Sequence, residues 1–353
     1  MNEISILFNK RQFSAVIEKA HAAIEKYPKA IDVWNLLGAA EYQTGMLDKA
    51  IKSYKRVISI KPDFAAAYNN MSVALRDKGK IDEAIEVCKK AISIKPDYAQ
   101  AYNNLGNILK DQHKIEESVK AYEECISIKP DYVEAYNNLG NVLKQQGKIE
   151  ESITAYKMAI SLNPDFAQAY NNLGNILNYK GKSNEAIKAF EKALLLKPNY
   201  DLAFNNMGLA FLDQGKLNEA IKAFEKTLLL NPNYADAYNN LGKAQKEKGK
   251  SCEALISFKK ALQLNPNHAY ALNNLGSIFK DQGKIEDAVA AFQKAVIIKS
   301  DFALAFNNLG VSLKDQGRMD EAIDVLKKGV SLKPNDSIIH KNLSYALLNK
   351  GII

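Results

Sequence analysis

The chain is short of cysteine: only three of its 353 residues are Cys. So few thiols cannot form a disulfide framework, and they favour a reducing compartment such as the cytoplasm. The sequence also lacks any apolar run of about 20 residues, the length that a membrane-spanning helix requires. No basic segment followed by an apolar one marks a secretory signal. These absences predict a cytoplasmic protein that does not insert into a membrane.

Catalytic motifs are absent as well. The sequence has no glycine-rich phosphate loop, no Gly-x-Ser-x-Gly elbow and no zinc signature. The four histidines are scattered, and none has a Cys, Asp or Glu partner at metal-ligand spacing: His21, His113, His268 and His340. We therefore expect a non-catalytic protein without a cofactor or a metal.

What the sequence does contain is a repeat of 34 residues, without insertion or deletion. The words Asn-Asn-(Leu/Met)-(Gly/Ser) recur at this spacing from Asn69 to Asn307. Nine full units begin at Ile31, Ala65, Ala99, Val133, Ala167, Asp201, Ala235, Ala269 and Ala303, and the last ends at Asp336. A strict period of this length indicates stacked helical hairpins, because no single hairpin can cover its own apolar face.

Each unit carries the signals of two helices. In the unit at Val133, apolar residues at helical spacing predict the first helix, and Gly147 is expected to end it in the left-handed conformation. Glu150 suits the start of the second helix, and Pro164 ends it. Cys88 and Cys125 occupy slots that are apolar elsewhere, so we predict that both are small core residues. The predicted fold class is all-α: one array with a partial repeat over residues 1–30, nine full repeats over 31–336 and the first helix of a truncated repeat over 337–353.

The first full unit resembles the tetratricopeptide repeat. It has the family's spacing of aromatic, Leu-Gly, Ala, aromatic and Pro, in Trp34, Leu37, Gly38, Ala50, Tyr54 and Pro62. One departure is Glu41, where the family usually has Tyr. The resemblance implies a right-handed superhelix that acts as a scaffold for binding proteins or peptides in its concave groove.

Paired asparagines are the most unusual feature of the repeat, because asparagine is a mediocre helix former. We number positions within a unit from 1 at its first residue. Position 5 is predicted to bond between adjacent hairpins, and position 6 to face a ligand; the alternative is that both only join hairpins. Position 6 is unchanged in nine consecutive units: Asn70, Asn104, Asn138, Asn172, Asn206, Asn240, Asn274, Asn308 and Asn342.

Positions 2, 6, 9 and 13 lie on one helical stripe, which lines the groove in tetratricopeptide superhelices. A carboxamide in each repeat offers a donor and an acceptor, which suits the main chain of an extended peptide of any sequence. Position 9 adds three amides and position 12 adds basic residues, often beside an Asp at position 13 that offsets the charge. These further candidate residues are Asn107, Asn141, Asn175, Arg76, Lys110, Lys144, Lys246, Lys280 and Lys314. The unit at Asp201 is instead apolar, with Leu202, Leu209 and Leu212.

A nucleic-acid partner is not expected. The net charge of +8 is spread over many repeats, and the aromatic residues occupy core slots, where they cannot stack on bases. The candidate partner is a protein or an extended peptide.

The asparagine ladder is similar to that of the N-terminal superhelix of O-linked N-acetylglucosamine transferases, which use it to hold protein substrates. The alternative function that this resemblance implies is the substrate-recruiting arm of a larger enzyme, a glycosyltransferase. Ile353 falls in the slot that begins a second helix, so we expect the chain to continue. Without that helix, Leu343 and Leu347 would be uncovered, and we expect self-association through this end.

Overall fold

The computed structural model describes residues 2–351, which form twenty-one α-helices and no strand. The chain forms two compact units, unit 1 (Met1–Ile176) and unit 2 (Leu177–Ile353). The helices of unit 1 are α1 (Asn2–Asn9), α2 (Phe13–Lys26), α3 (Ile31–Gln43), α4 (Leu47–Ile60), α5 (Ala65–Asp77), α6 (Ile81–Ile94), α7 (Ala99–Asp111), α8 (Ile115–Ile128), α9 (Val133–Gln145) and α10 (Ile149–Leu162). The helix α11 (Ala167–Tyr179) follows.

The helices of unit 2 are α12 (Ser183–Leu196), α13 (Asp201–Asp213), α14 (Leu217–Leu230), α15 (Ala235–Glu247), α16 (Ser251–Leu264), α17 (Ala269–Asp281), α18 (Ile285–Ile298), α19 (Ala303–Asp315), α20 (Met319–Leu332) and α21 (Ser337–Asn349). The role predicted for Ile353 lies outside the described residues. No helix within residues 2–351 is both long enough and apolar enough to cross a bilayer.

The connection inside each hairpin requires a left-handed backbone. Gly147 adopts φ +76° between α9 and α10, as predicted for a residue that ends a helix. His113 takes the corresponding place between α7 and α8 with φ +60°, so this connection is kept without glycine. The turn has the same length with His113 as with glycine, so it does not shift the repeat. The first helix of every full repeat begins at the predicted first residue of its unit.

Close approach of the two helices depends on glycine at position 8. A Cβ on Gly106 would lie 2.6 Å from Cε1 of Tyr122, and one on Gly140 would lie 2.6 Å from Cε1 of Tyr156. The unit at Ala65 has Ser72 in this position, and there the facing aromatic ring is replaced by the smaller Cys88. Cys88 and Cys125 are completely buried, which confirms the prediction that both are core residues.

Stacking continues from hairpin to hairpin. Within each unit, second helices pack against their own first helix and against the first helix of the next repeat, as α4 does on α5 and α14 does on α15. In unit 1 one cluster of buried side chains joins three repeats and includes Tyr54, Leu75 and Ile108. The prediction of an all-α helical-repeat solenoid is therefore confirmed.

Candidate functional site

The two asparagines of each repeat have different environments. The position-5 side chains are buried, with exposed fractions of 0% for Asn69, 2% for Asn137 and 7% for Asn103. The position-6 side chains are only half-buried throughout the array. Position 6 therefore keeps a surface that a ligand can reach, whereas position 5 does not.

Neighbouring repeats are joined through these asparagines. The position-6 Nδ2 donates to the position-5 Oδ1 of the preceding repeat, with donor–acceptor distances of 2.8 Å for Asn104–Asn69 and 2.9 Å for Asn274–Asn239. The same bond links Asn70–Asn35, Asn138–Asn103 and Asn172–Asn137 in unit 1, and Asn240–Asn205, Asn308–Asn273 and Asn342–Asn307 in unit 2. Position 5 joins adjacent hairpins, as predicted, and position 6 is the donor in that joint.

At these eight position-6 residues the joint occupies only part of the carboxamide. A carboxamide carries two N–H groups and an oxygen with two lone pairs, and the joint uses one N–H. The Oδ1 of Asn70 also accepts from Asn69 at 3.3 Å, and the Oδ1 of Asn172 accepts from Asn171 at 3.4 Å. One N–H and acceptor capacity on Oδ1 therefore remain, in an orientation that the joint holds in place.

In unit 2 these positions line a single cleft of 540 Å³, which we call the Asn240 cleft. Amides of three successive repeats line it, including those of Asn240 and Asn274. Beside them lie Tyr270, Phe302 and Leu304, and the Tyr270 and Phe302 rings are 4.8 Å apart. The volume is within the usual range of ligand sites, about 300–1,000 Å³. The cleft combines an amide floor with an apolar wall.

His268 stabilises one end of the Asn240 cleft, a role that the sequence did not suggest. Its Nδ1 accepts from the Ala271 N–H at 3.2 Å, so the ring proton of the neutral imidazole is on Nε2, which donates to Asp236 Oδ1 at 3.0 Å. Most other repeats have Tyr or Phe at this position, 34. That departure from the repeat was the available signal.

The position-9 asparagines are partly committed to the core. The Tyr122 hydroxyl donates to Asn107 Oδ1 and the Tyr156 hydroxyl donates to Asn141 Oδ1, each at 2.9 Å. Asn175 has no such bond, because the corresponding ring is Phe190. The predicted groove amides at Asn107 and Asn141 therefore have their oxygens directed towards the core.

Charges at position 12 are largely offset, as the neighbouring aspartates suggested. Lys246 pairs with Asp281 of the next repeat at 3.0 Å, and Lys280 pairs with Asp315 at 3.5 Å. Arg76, Lys110 and Lys314 also lie within 4 Å of a position-13 Asp. Lys144 makes no ion pair with any residue that the structure describes, because Gln145 follows it. Of the predicted lysines, Lys144 has the charge most available to a ligand.

Comparisons with known proteins agree with this architecture. A family model described as "TPR repeat" matches residues 38–75, 73–113, 106–147, 140–178, 174–215, 208–249 and 276–317. Two models described as "Tetratricopeptide repeat" match residues 257–290, and residues 235–268 and 303–336. No curated protein matches the chain.

Two solved structures show a similar fold. A chain in the crystal structure of the APC/C hetero-tetramer Cut9–Hcn1 superposes with a TM-score of 0.63 at 15% identity, covering 90% of this chain and 76% of that one. A tetratricopeptide repeat protein from Parabacteroides merdae gives 0.59 at 20% identity, covering 70% of this chain and 98% of that one. At these identities the likeness concerns the fold alone.

Proposed function

Because the chain belongs to the tetratricopeptide repeat family, whose stacked hairpins serve as protein-binding scaffolds, we propose that it is non-catalytic and holds an extended protein segment in an asparagine-lined concave groove. One observation carries the proposal. Eight of the position-6 carboxamides are half-buried, are oriented by a joint to the preceding repeat and keep both donor and acceptor capacity. A row of such groups matches the alternating N–H and C=O groups of an extended main chain.

The chemistry of the row determines what is selected. Each hydrogen bond to the main chain contributes about 0.5–1.5 kcal/mol net, and none of these bonds depends on the ligand's side chains. We therefore assign main-chain binding to position 6, with Asn107, Asn141 and Asn175 adding amides beside the row. The lysines Lys110, Lys144, Lys246, Lys280 and Lys314 form its rim, and Lys144 contributes most to attracting acidic segments.

The test uses two matched triple variants. Asn104→Ala, Asn138→Ala and Asn172→Ala remove three position-6 carboxamides. Asn69→Ala, Asn103→Ala and Asn137→Ala remove the buried acceptors of the same three joints. Both variants lose the same three inter-repeat hydrogen bonds, so both should melt at a lower temperature. They differ in that only the position-6 variant loses groups that a ligand can reach.

Binding is measured by fluorescence anisotropy with two labelled, unstructured peptides, one of Ser, Thr and Gln and the other with Leu at every second residue. We expect the position-6 triple variant to weaken both peptides by about tenfold or more, from one to a few kcal/mol of lost hydrogen bonding. The position-5 variant should bind nearly as the wild type does at a temperature where it is folded. Equal affinities for the two triple variants would restrict position 6 to joining repeats.

A second candidate function is the substrate-recruiting arm of a larger enzyme, a glycosyltransferase. The unbroken run of position-6 asparagines favours it, through the resemblance to O-linked N-acetylglucosamine transferases. The reading frame of the full-length gene discriminates the two functions. A frame without a catalytic domain would exclude this one.

Self-association and location complete the proposal. Leu343 and Leu347 are half-buried against α20, and the exposed apolar residues of α21 are Ile338, Tyr345 and Leu348. We assign pairing between copies to this face. Sedimentation over a concentration series should show it, and Ile338→Gln with Leu348→Gln should reduce it. Buried free thiols at Cys88 and Cys125 fit a reducing compartment, so we place the protein in the cytoplasm.

A further inference from the structure

A second cavity of 540 Å³ lies in unit 1, where α2, α3 and α4 meet. Trp34 of α3 supplies apolar surface, while Leu37 is completely buried behind it, and α4 supplies Lys49, Lys52 and Arg56. None of its lining residues is at positions 2, 5, 6 or 9 of a repeat. The cavity is therefore separate from the asparagine row, and nothing in the proposed function uses it.

The charge of this cavity departs from the repeat. Position 19 is Asp or Glu in the eight other full units, as in Glu83 and Glu253, but it is Lys49 in the first. In the other units the position-16 residue is a Lys or Arg, which pairs with that acid in several repeats, as Lys250 does with Glu253 at 3.2 Å. The first unit has Met46 instead. Both members of a surface ion pair have thus been replaced, which leaves an added cation at the cavity.

The cations around the cavity are not held in close ion pairs. Lys49, Lys52, Lys55 and Arg56 make no ion pair with any residue in the described part of the chain. One carboxylate, Glu41, also lines the cavity, so these groups together carry a net charge of +3. Like charges three or four residues apart on one helix repel each other. This repulsion destabilises the fold, and an anionic ligand bound in the cavity would relieve it.

Glu41 lies at the base of the cavity and is only 2% exposed. Its Oε2 accepts from Ser53 Oγ at 2.6 Å. The unit at Ala235 has the same arrangement with an amide, since Ser257 Oγ donates to Gln245 Oε1 at 2.7 Å. These two units have a polar residue at position 11, and both have Ser at position 23. The packing therefore accepts an uncharged side chain in place of Glu41.

We propose that this cavity is a second binding site, which takes an acidic peptide segment carrying one bulky apolar side chain. The apolar side chain lies on Trp34, and carboxylates of the segment face the cationic row. From Lys49 to Arg56 this row runs about 10 Å along α4 at about 1.5 Å per residue, the length of about three extended residues. A single carboxylate would engage only part of the row, so the charge pattern fits a peptide rather than a small free acid.

The protein contains a suitable reporter, because Trp34 is its one tryptophan. The probe is a capped peptide, Asp-Glu-Leu-Glu-Asp, titrated against the full chain while Trp34 emission is recorded. We expect a saturable change in emission that weakens as salt is added, because exposed ion pairs are screened. No saturable change would overturn the proposal.

The decisive variant is Lys49→Glu, which restores the acidic residue type of the other eight units and should therefore fold. We expect it to weaken the peptide by at least about tenfold, because an attractive charge becomes a repulsive one. Lys222→Glu in α14 makes the same change of charge at an exposed site outside the cavity and should leave the titration unchanged. Wild-type affinity in folded Lys49→Glu, or an equal loss of affinity in Lys222→Glu, would show that the peptide does not bind in this cavity.

Two further arms sharpen the assignment. Glu41→Gln should tighten the peptide severalfold, because it removes the one repulsive carboxylate while keeping the hydrogen bond of the Gln245 type; weaker binding would contradict the charge argument. Hexanoate should compete only poorly; if it displaces the peptide at an equal concentration, the cavity is a small-anion site and the peptide assignment is wrong. The position-6 triple variant should give the wild-type Trp34 titration, so this inference and the proposed function can fail separately.

Discussion

Unit 1 and unit 2 share the asparagine row but differ in the residues beside it. At position 2, unit 1 has polar side chains such as Gln100 and Gln168. Three of the four full repeats of unit 2 instead have Leu202, Tyr270 and Leu304, with exposed fractions of 44%, 50% and 54%, and the fourth has Asp236. The proposed main-chain binding would thus be common to both units, while the wall beside the asparagine row differs. The comparison predicts that both units bind a main chain in the same way, but that unit 1 prefers polar and unit 2 apolar ligand side chains.

The same contrast extends into the core at position 24. Unit 1 has Tyr54, Tyr122 and Tyr156 there, and unit 2 has Phe190, Phe224, Phe258 and Phe292, all of them fully or almost fully buried. In the two middle repeats of unit 1 the Tyr hydroxyl reaches a position-9 asparagine on the surface. In these two repeats the core tyrosine therefore fixes the orientation of a position-9 side chain.

The position-24 tyrosines of unit 1 should make the chain less stable at alkaline pH, an effect that the position-24 phenylalanines of unit 2 cannot have. This is the largest effect that we expect. Burial raises the pKa of Tyr156 to about 12 and raises the pKa values of Tyr54 and Tyr122 as well. In the unfolded chain a Tyr has a pKa of about 10. Between pH 10 and about 12 the hydroxyl is therefore ionised in the unfolded state but still protonated in the folded state, so the free energy of unfolding falls as the pH rises through this range. Each such tyrosine contributes a loss of order 2 kcal/mol. Thermal melts of the chain at increasing pH measure the total.

Replacing Tyr54, Tyr122 and Tyr156 together by Phe should remove the part of the alkaline loss that these three side chains contribute, because Phe has no ionisable hydroxyl; other partly buried tyrosines, whose pKa values are also raised, keep their share. The matched control is Tyr27→Phe with Tyr179→Phe, since both of these rings are largely exposed. The control should lose stability at alkaline pH as the wild type does. A triple variant that does the same would show that other groups cause the loss.

A glycine-to-alanine change should affect both units equally and so test what they share. Gly140→Ala and Gly242→Ala would each bring a Cβ to 2.6 Å from Cε1 of the facing ring, Tyr156 or Phe258. We expect each change to cost about 1–3 kcal/mol of unfolding free energy through overpacking, measured by urea denaturation. Adding Tyr156→Cys to Gly140→Ala should recover part of the loss, as in the natural Ser72–Cys88 pair. A large cost in only one unit would show that the cores are not equivalent.

The wall of unit 2 can be converted to the unit 1 type. Leu202→Gln, Tyr270→Gln and Leu304→Gln together should weaken the Leu-alternating peptide by about tenfold or more, since burying one such side chain is worth about 1.5–3 kcal/mol. The Ser, Thr and Gln peptide should bind as before, and melting should change little because all three residues are exposed. If both peptides weaken to the same extent, the wall does not select side chains.

Rim lysines should give the smallest effect. Lys144→Ala in unit 1 should weaken an acidic peptide about two- to threefold, as expected for one exposed charge. Lys246→Ala in unit 2 should do less, because Asp281 already offsets that charge at 3.0 Å. Titrations at low and high salt measure both, and the difference should vanish at high salt. A larger effect at Lys246 would contradict the assignment of Lys144 as the available charge.

Much of the fold follows from the repeat itself. Boundaries such as Val133 and Ala235 were predictable because the same turn and the same helix-ending proline recur nine times, so accidental features of single units cancel. Cys88 and His113 could be placed because each stands in a slot whose role the other copies define. This redundancy is what a single helical hairpin would lack.

The candidate site was less accessible to prediction, because its details depend on side-chain directions across neighbouring repeats. Nothing in the spacing showed that Asn104 donates to Asn69, 35 residues earlier, or that Tyr122 reaches Asn107. The Glu41–Ser53 pair did leave a trace, since Ser at position 23 occurs only where position 11 is polar. Reading positions in pairs rather than singly would have found it.

The joints between repeats also bear on how the chain folds. Each one connects residues about one repeat apart, such as Asn138 and Asn103 or Gln112 and Asp82. The entropy of closing such a loop depends on the residues it encloses, so it is the same at every joint. Proteins dominated by contacts of short sequence separation fold quickly, and a linear array can nucleate at any hairpin and propagate to its neighbours. Adding repeats to this sequence would therefore add further folding steps of the same kind, none of them slower than those between the existing repeats.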